Sequence, residues 1–150
     1  NERLLALFSK LNTHLEFGLQ TAIRSESIVI NRRNNIEKVS SAISMLQDKN
    51  MSFEVSLIYG LPTQTLESFF ESVDFLKRRG VSDVKAFPLM LLEGTQLAAD
   101  KEVFGIKEGH IDDSGIPHVI ESDSFTKKEW KAMRAFAMKL TNLKDSACLS

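Results

Sequence analysis

The sequence predicts an α/β fold made of repeated βα units whose strands run parallel. Three segments have the pattern of strands: residues 13–21, 53–59 and 83–90. Their ends, near Gln20, Gly60 and Met90, lie roughly 30 to 40 residues apart, with a helical pattern between each pair. This spacing is typical of βα units, and right-handed crossovers make their strands parallel.

Composition narrows the classes of protein that the chain can represent. Its 150 residues, 43% of them hydrophobic, fit one domain with a real core. A net charge of -1 gives no electrostatic case for binding nucleic acid or an anionic membrane, and no apolar run approaches the roughly 20 residues of a membrane span. We expect no signal peptide, because the first residues lack the pattern of one. The single cysteine, Cys148, excludes an intrachain disulfide and favours the reducing cytoplasm.

The first strand has two different faces. Apolar side chains at Leu15, Phe17 and Leu19 alternate with a polar row formed by Glu16, Gly18 and Gln20. In a parallel barrel the apolar set would meet the helices, and the polar row would look inward. An inward polar row indicates a ligand, whereas an ordinary half-exposed strand has the same pattern. Both interpretations are open at this point.

Helical spacing of apolar residues predicts helices before, between and after the strands. The main helical segments are about residues 4–11, 25–30, 35–49, 66–79 and 127–143. We expect Asn34 and Glu37 to form the capping pair of the third segment. Thr65 is the expected N-cap of the fourth, and Gly80 closes it.

The segment 56–65 is the first place to look for chemistry. Gly60 and Pro62 break the second strand, and Thr65 then starts a helix. Loops at the carboxyl ends of parallel strands are where α/β proteins bind their ligands. The segment therefore predicts a binding loop.

Beyond Ala99 the pattern changes. Residues 105–115 are rich in glycine and acids and include a histidine, and residues 117–122 predict a brief extended segment. Thr126 and Glu129 form a capping box at the start of the terminal helix.

Short catalytic motifs do not occur in the sequence. His14, His110 and His118 are too scattered for a local metal motif, and there is no HExxH, GxSxG, Walker or GxGxxG pattern.

Three parallel strands would leave the edges of the predicted sheet unpaired. We therefore expect that strands are missing from this chain or are supplied by a partner. The helical pattern at residue 1 favours an excised piece.

Four motifs in order carry a resemblance to a known family. They are Leu15-Glu16-Phe17-Gly18-Leu19-Gln20-Thr21, Asn31-Arg32, Leu57-Ile58-Tyr59-Gly60-Leu61-Pro62-Thr63-Gln64-Thr65, and Phe87-Pro88-Leu89 with Glu93-Gly94-Thr95. Over about residues 13–140 the chain resembles the second half of a radical S-adenosylmethionine (radical SAM) catalytic domain. Within that superfamily it is most similar to cobalamin-binding-domain radical SAM proteins and oxygen-independent coproporphyrinogen oxidases.

The resemblance implies a fold and a set of site residues. The fold is a partial (β/α)6 barrel, here residues 1–104, followed by an extension packed on it, residues 105–150. S-adenosylmethionine would lie across the strand ends, bound to a [4Fe-4S] cluster. Gln20 and Arg32 would contact its nucleoside part, Ile58 would pack on the adenine, and Met90 would line the pocket. Ser56 stands where several relatives have an acidic residue for the ribose hydroxyls; it offers one hydrogen bond without a charge.

One departure from the family decides what this chain does alone. The family holds its cluster with three cysteines spaced CxxxCxxC, and this sequence has no such motif. We therefore expect the isolated chain to be inactive. The intact protein would act on a small-molecule substrate that the sequence does not identify. The sequence also does not tell whether a cobalamin domain lies upstream. The alternative is a non-catalytic α/β module that binds a nucleotide-like ligand or a protein partner. In either case we expect self-association through open sheet edges, and convergence of Gln20, Arg32 and Ile58 at one end of the sheet.

Overall fold

The computed structural model describes residues 14–147, with side chains through residue 141. The helix expected over residues 4–11 and the thiol of Cys148 lie outside the described residues. The elements in chain order are β1 Leu15–Gln20, α1 Arg24–Val29, α2 Ile36–Asp48, β2 Phe53–Tyr59, α3 Leu66–Arg78, β3 Val84–Pro88, α4 Gln96–Ala99, β4 Lys107–Gly109, β5 His118–Glu121 and α5 Lys127–Ala147. None of the described helices is long and apolar enough to cross a membrane.

The main sheet consists of three parallel strands in the order β1-β2-β3. In its register Gly18 lies beside Ser56, and Ser56 lies beside Lys85. The predicted α/β fold with three parallel βα units is therefore confirmed. A second sheet pairs β4 with β5 in antiparallel fashion; the extended segment predicted at residues 117–122 contains β5, and β4 was not predicted. A strand of three residues is too short to leave a periodic signal.

One face of the main sheet carries the core. Strand alternation puts Val55, Leu57 and Tyr59 on this outer face, where each is almost fully buried. Helices α3 and α5 cover it: the Tyr59 ring lies 6.0 Å from that of Phe69 and 5.9 Å from that of Trp130. Burial of one such side chain contributes about 1.5–3 kcal/mol to stability.

Capping interactions fix where the helices begin. The Thr65 side chain accepts a hydrogen bond from the Ser68 amide (3.1 Å), and the Ser68 hydroxyl accepts one from the Thr65 amide (2.9 Å), which confirms the predicted cap of α3. The expected Asn34 and Glu37 pair is wrong for α2. Asn35 is the N-cap, because its extended backbone lets its side chain accept from the Lys38 amide (3.0 Å).

Backbone hydrogen bonds join the start of β5 to the residues that follow β3. The Val119 amide donates to the Leu89 carbonyl (3.0 Å), and the Leu91 amide donates to the Pro117 carbonyl (2.8 Å).

The capping box predicted at α5 is confirmed, since the Thr126 amide donates to the Glu129 carboxylate (2.8 Å) and the Thr126 hydroxyl accepts from the Glu129 amide (3.3 Å). The division into residues 1–104 and 105–150 stays a prediction.

Candidate functional site

The second face of the main sheet, here called the open face, is only partly covered in the described structure. By strand alternation it carries Glu16, Gly18, Gln20, Glu54, Ser56, Ile58, Lys85 and Phe87. Ser56 and Ile58 are half-buried, and Phe87 is 50% exposed. The polar row predicted in β1 therefore faces a surface on which a ligand could lie.

Gln20 has an unusual conformation at the carboxyl end of β1. Its φ is +63°, and the ladder to β2 shifts register between Gly18 and Gln20. A Cβ at position 18 would overlap the Gln20 Nε2 atom and would lie 3.5 Å from the Ser56 Oγ atom. The Gln20 amide therefore folds back over Gly18 towards Ser56, a course that only glycine at position 18 permits. Positive φ at a non-glycine residue costs energy and is concentrated at functional sites.

The Gln20 side chain also has an unsatisfied acceptor. Its Oε1 atom is buried and has no hydrogen-bond partner among the described residues. An unpaired buried acceptor costs about 1–3 kcal/mol, so it needs an explanation in a native structure. A ligand that donates an N–H or O–H to this oxygen provides one.

Two more of the predicted site residues lie next to Gln20. After the register shift Gln20 pairs with Leu57, but its side chain folds back over Gly18 towards the Ser56 hydroxyl on the open face. Ile58 is the next residue of β2 on that face. Gln20, Ser56 and Ile58 therefore come together on the open face near the carboxyl ends of β1 and β2. This is the end of the sheet at which the sequence predicted the site.

The other two predicted residues lie on connecting segments. Arg32 is exposed in the segment between α1 and α2, where its amide donates to the Ser27 carbonyl (2.8 Å). Met90 lies two residues past β3, is 48% exposed, and forms an isolated bridge to His118. No contact of either side chain with Gln20, Ser56 or Ile58 is described. Their part in the site stays a prediction.

A buried polar network fixes the loops at this end of the sheet. Glu26 is 1% exposed, and its carboxylate accepts hydrogen bonds from Thr21 (2.6 Å), Gln64 (3.5 Å) and Ser68. Burial raises the pKa of the Glu26 carboxyl above its usual range, against the opposing effect of these hydrogen bonds. Since the three donors belong to the β1 loop, the β2 loop and α3, this single carboxylate ties the segments together.

Gln64 holds the loop after β2 in place. Its Oε1 atom accepts hydrogen bonds from the amides of Gly60 (2.8 Å) and Leu61 (3.2 Å), and its Nε2 atom donates to the Ile58 carbonyl (3.2 Å). The roles of Glu26 and Gln64 were not predicted from the sequence. Their partners lie up to 42 positions away, so no local pattern reveals the network.

The end of β1 is also held by Asn34, the residue before the N-cap of α2. The Asn34 side-chain amide donates to the carbonyls of Leu19 (2.6 Å) and Thr21 (3.2 Å). These bonds use the amide that the sequence assigned to a helix cap. Asn34 therefore holds the strand end that presents Gln20.

The residues of this site suit S-adenosylmethionine better than they suit an iron-sulfur cluster. The unpaired Gln20 Oε1 atom and the Ser56 hydroxyl can accept hydrogen bonds from the hydroxyl and amino groups of a nucleoside, and Ile58 offers an apolar surface to a base. A [4Fe-4S] cluster needs several thiolates, and the sequence has one cysteine. The residues of this chain therefore fit the cosubstrate and do not fit the cluster.

Comparison with solved structures shows the class of fold. The three parallel βα units have the fold of part of the barrel seen in radical SAM proteins. Coproporphyrinogen III oxidase (HemN) from Escherichia coli, described as a radical SAM enzyme, aligns with a TM-score of 0.62 and 22% identity over 93% of this chain and 29% of its own. Elp3 from Methanocaldococcus infernus aligns with a TM-score of 0.59 and 22% identity over 69% of this chain and 25% of its own.

A curated relative adds a likeness in sequence. Anaerobic magnesium-protoporphyrin IX monomethyl ester cyclase from Rubrivivax gelatinosus is 32% identical over 73 residues, which are 48% of this chain and 13% of that protein. No family model matches the chain. The chain thus spans less than a third of the length of each of these proteins. Together the likenesses support a relationship to the radical SAM superfamily.

Proposed function

We propose that this chain is part of a radical SAM enzyme and that its open face binds S-adenosylmethionine. The observation that carries the proposal is the buried Oε1 atom of Gln20 at the carboxyl end of β1, which has no hydrogen-bond partner in the part of the chain that the structure describes. Parallel α/β proteins place ligands at this end of their strands. A cytoplasmic location belongs to the same proposal, since a single cysteine fits a reducing compartment.

Each residue would position the cosubstrate. Gln20 and Ser56 would accept hydrogen bonds from its nucleoside part, and Ile58 would pack on the adenine. Arg32 would donate to carboxylate or hydroxyl oxygens, and Met90 would line the pocket from beyond β3. Such residues contribute by proximity and orientation. Reductive cleavage to a 5′-deoxyadenosyl radical needs thiolate-held iron, so we propose that this chain alone is inactive.

Exposed apolar side chains on and beyond β3 suggest the kind of substrate. Four exposed side chains form what we call the apolar ridge: Phe87, Met90, Leu92 and Ile116. The Leu91 amide donates to the Pro117 carbonyl, which pairs the segment that carries Met90 and Leu92 with the one that carries Ile116. Exposed apolar groups that cluster in this way mark binding surfaces. Two of the similar proteins are named for porphyrin chemistry, and we propose a large, planar, apolar substrate of that kind.

The first test of the enzyme is the gene upstream of this segment. An encoded CxxxCxxC motif would agree with the proposal, whereas a stop codon or an unrelated domain there would favour the non-catalytic module.

The second test is the release of 5′-deoxyadenosine by the full-length protein after anaerobic reconstitution with iron and sulfide. Gln20→Ala should lower the rate about tenfold or more, because a buried hydrogen bond to the ligand is lost. Gln96→Ala, which changes an exposed amide on α4, should leave it unchanged.

A separate binding measurement tests the apolar ridge. Protoporphyrin IX absorbance and quenching of tryptophan fluorescence report the binding of a planar apolar molecule. Phe87→Ser should weaken this binding, and Met138→Ser, at an equally exposed position on α5, should not. Equal losses from both changes would remove the ridge as the substrate surface.

A further inference from the structure

A second group of polar side chains lies at the opposite, amino end of the open face. His14 immediately precedes β1, Glu16 is the second residue of β1, and Glu54 is the second residue of β2. One ligand atom from each of the three lies within 4.8 Å of the others. Imidazole nitrogen and carboxylate oxygen are both ligands of zinc in proteins.

The charges in this group are not balanced. Glu16 and Glu54 are directly opposite each other in the parallel register, and like charges in that arrangement repel. Glu54 is 4% exposed, so its charge is poorly hydrated. The Lys85 ammonium, 2.6 Å from Glu54, offsets one of the two charges. A second cation, in addition to the Lys85 ammonium, would offset the remaining negative charge.

One ring nitrogen of His14 is held by a hydrogen bond, as is usual for a histidine that binds a metal. The Ser52 hydroxyl lies 2.7 Å from Nδ1 of His14, and Nε2 is directed to the same end of the sheet, 3.8 Å from an Asp83 carboxylate oxygen. Histidines that bind metals usually have one ring nitrogen held by a hydrogen bond, which leaves the other for the ion. A third acidic group nearby also makes the potential at this end more favourable for a cation.

We propose that His14, Glu16 and Glu54 bind a divalent transition-metal ion of the zinc class. The mixed nitrogen and oxygen donors favour such an ion over magnesium or calcium, which take oxygen ligands. Glu16 is exposed and can close the remaining distance by a change of rotamer. Lys85 is partly exposed and can turn its ammonium to solvent when the ion takes its place. The site is separate from the one that holds Gln20, and it does not depend on the proposed enzyme.

The experiment is a calorimetric titration of the 150-residue chain with Zn²⁺ alone, in a Cys148→Ser background that removes the thiol. We expect one equivalent to bind. His14→Asn and Glu16→Gln should each weaken binding by about tenfold or more, and both changes lie at exposed positions that the fold tolerates. His110→Asn, which removes another exposed imidazole, is the matched control and should have no effect.

A second variant separates a metal site from a general loss of structure. Lys85→Met removes the competing ammonium and should tighten Zn²⁺ binding, which a merely damaged protein would not show. Co²⁺ in place of Zn²⁺ should give a visible spectrum of a nitrogen- and oxygen-ligated ion that disappears in His14→Asn. The proposal is overturned if no equivalent binds, if His110→Asn weakens binding as much as His14→Asn does, or if Lys85→Met has no effect.

Discussion

The two faces of the main sheet differ although the same three strands form both. On β2 the outer residue Leu57 is fully buried, whereas its neighbour Ile58 on the open face is only half-buried. The outer face has its complement within the described chain, in α3 and α5. The open face carries charged and polar side chains, an unpaired buried acceptor and an exposed phenylalanine.

The difference teaches which residues the fold needs and which it leaves for another purpose. Side chains on the outer face are fixed by close packing, and their identities follow from the need to fill a core. Gly18 and Gln20 on the open face are instead combined at a cost, because a positive φ and an unpaired oxygen are both unfavourable. Such costs persist where a ligand offsets them.

The largest expected effect concerns stability. Leu57→Ala should lower the free energy of unfolding by about 2–5 kcal/mol, since it leaves a cavity in a tightly packed core. Ile58→Ala, one residue along the same strand, should cost clearly less because that side chain is half-buried. Urea denaturation measures both. Equal losses would mean that the two faces do not differ as described.

The second prediction concerns binding at the open face. Gly18→Ala should displace the Gln20 side chain, because the added methyl group overlaps its Nε2 atom. The affinity for S-adenosylmethionine should fall about tenfold, which corresponds to the loss of one good hydrogen bond. Gly115→Ala is the control, since a Cβ there meets nothing within 4 Å. Unchanged affinity in Gly18→Ala would contradict the role given to Gln20.

The third prediction uses the buried carboxyl that ties the loops together. A carboxyl whose pKa is raised on folding binds its proton more tightly in the folded state, so Glu26 makes stability fall as pH rises from about 4.5 through the raised pKa. Glu26→Gln should remove this part of the pH dependence. Urea midpoints measured between pH 4.5 and pH 8 test it. Glu37→Gln, at an exposed position on α2, should keep the slope; an unchanged slope in Glu26→Gln would contradict the account.

The smallest expected effect is weak self-association of the isolated chain. We propose that two copies of the chain contact each other through the open face and through the edge of β1 that faces away from β2. Strand edges and exposed apolar groups promote such association. Sedimentation velocity at high protein concentration should show a concentration-dependent shift, and Phe87→Lys should reduce it more than Met138→Lys does. A strictly monomeric profile would argue against this surface.

Local signals in the sequence predicted much of the fold. The strand alternation in residues 15–20 and the cap at Thr65 depend on neighbours in sequence, and both are confirmed. The cap of α2 moved from Asn34 to Asn35 because Asn34 is used by carbonyls at the end of β1, 13 and 15 positions earlier. The role of Glu26 was missed for the same reason, since the tertiary fold brings its partners Gln64 and Ser68 to it.

The candidate site was predictable to the extent that the sheet defines it. Once β1 and β2 are parallel, their register places Gly18 beside Ser56, whereas the turn of the Gln20 side chain towards Ser56 depends on a register shift and a positive φ that no periodic pattern predicts. Arg32 and Met90 lie on connecting segments, whose course depends on distant contacts and not on strand geometry. Sequence similarity can suggest their roles, but pattern alone cannot place their side chains.

The most direct measurement is an NMR titration of the chain with millimolar S-adenosylmethionine. The δ1 methyl group of Ile58 and the side-chain amide of Gln20 should shift together, while the methyl groups of Leu57 on the outer face should not move. The adjacent positions of Ile58 and Leu57 make each the control for the other. Shifts at the Leu57 methyl groups without shifts at Ile58 and Gln20, or no shift at any of them, would contradict the claim that the open face binds this molecule.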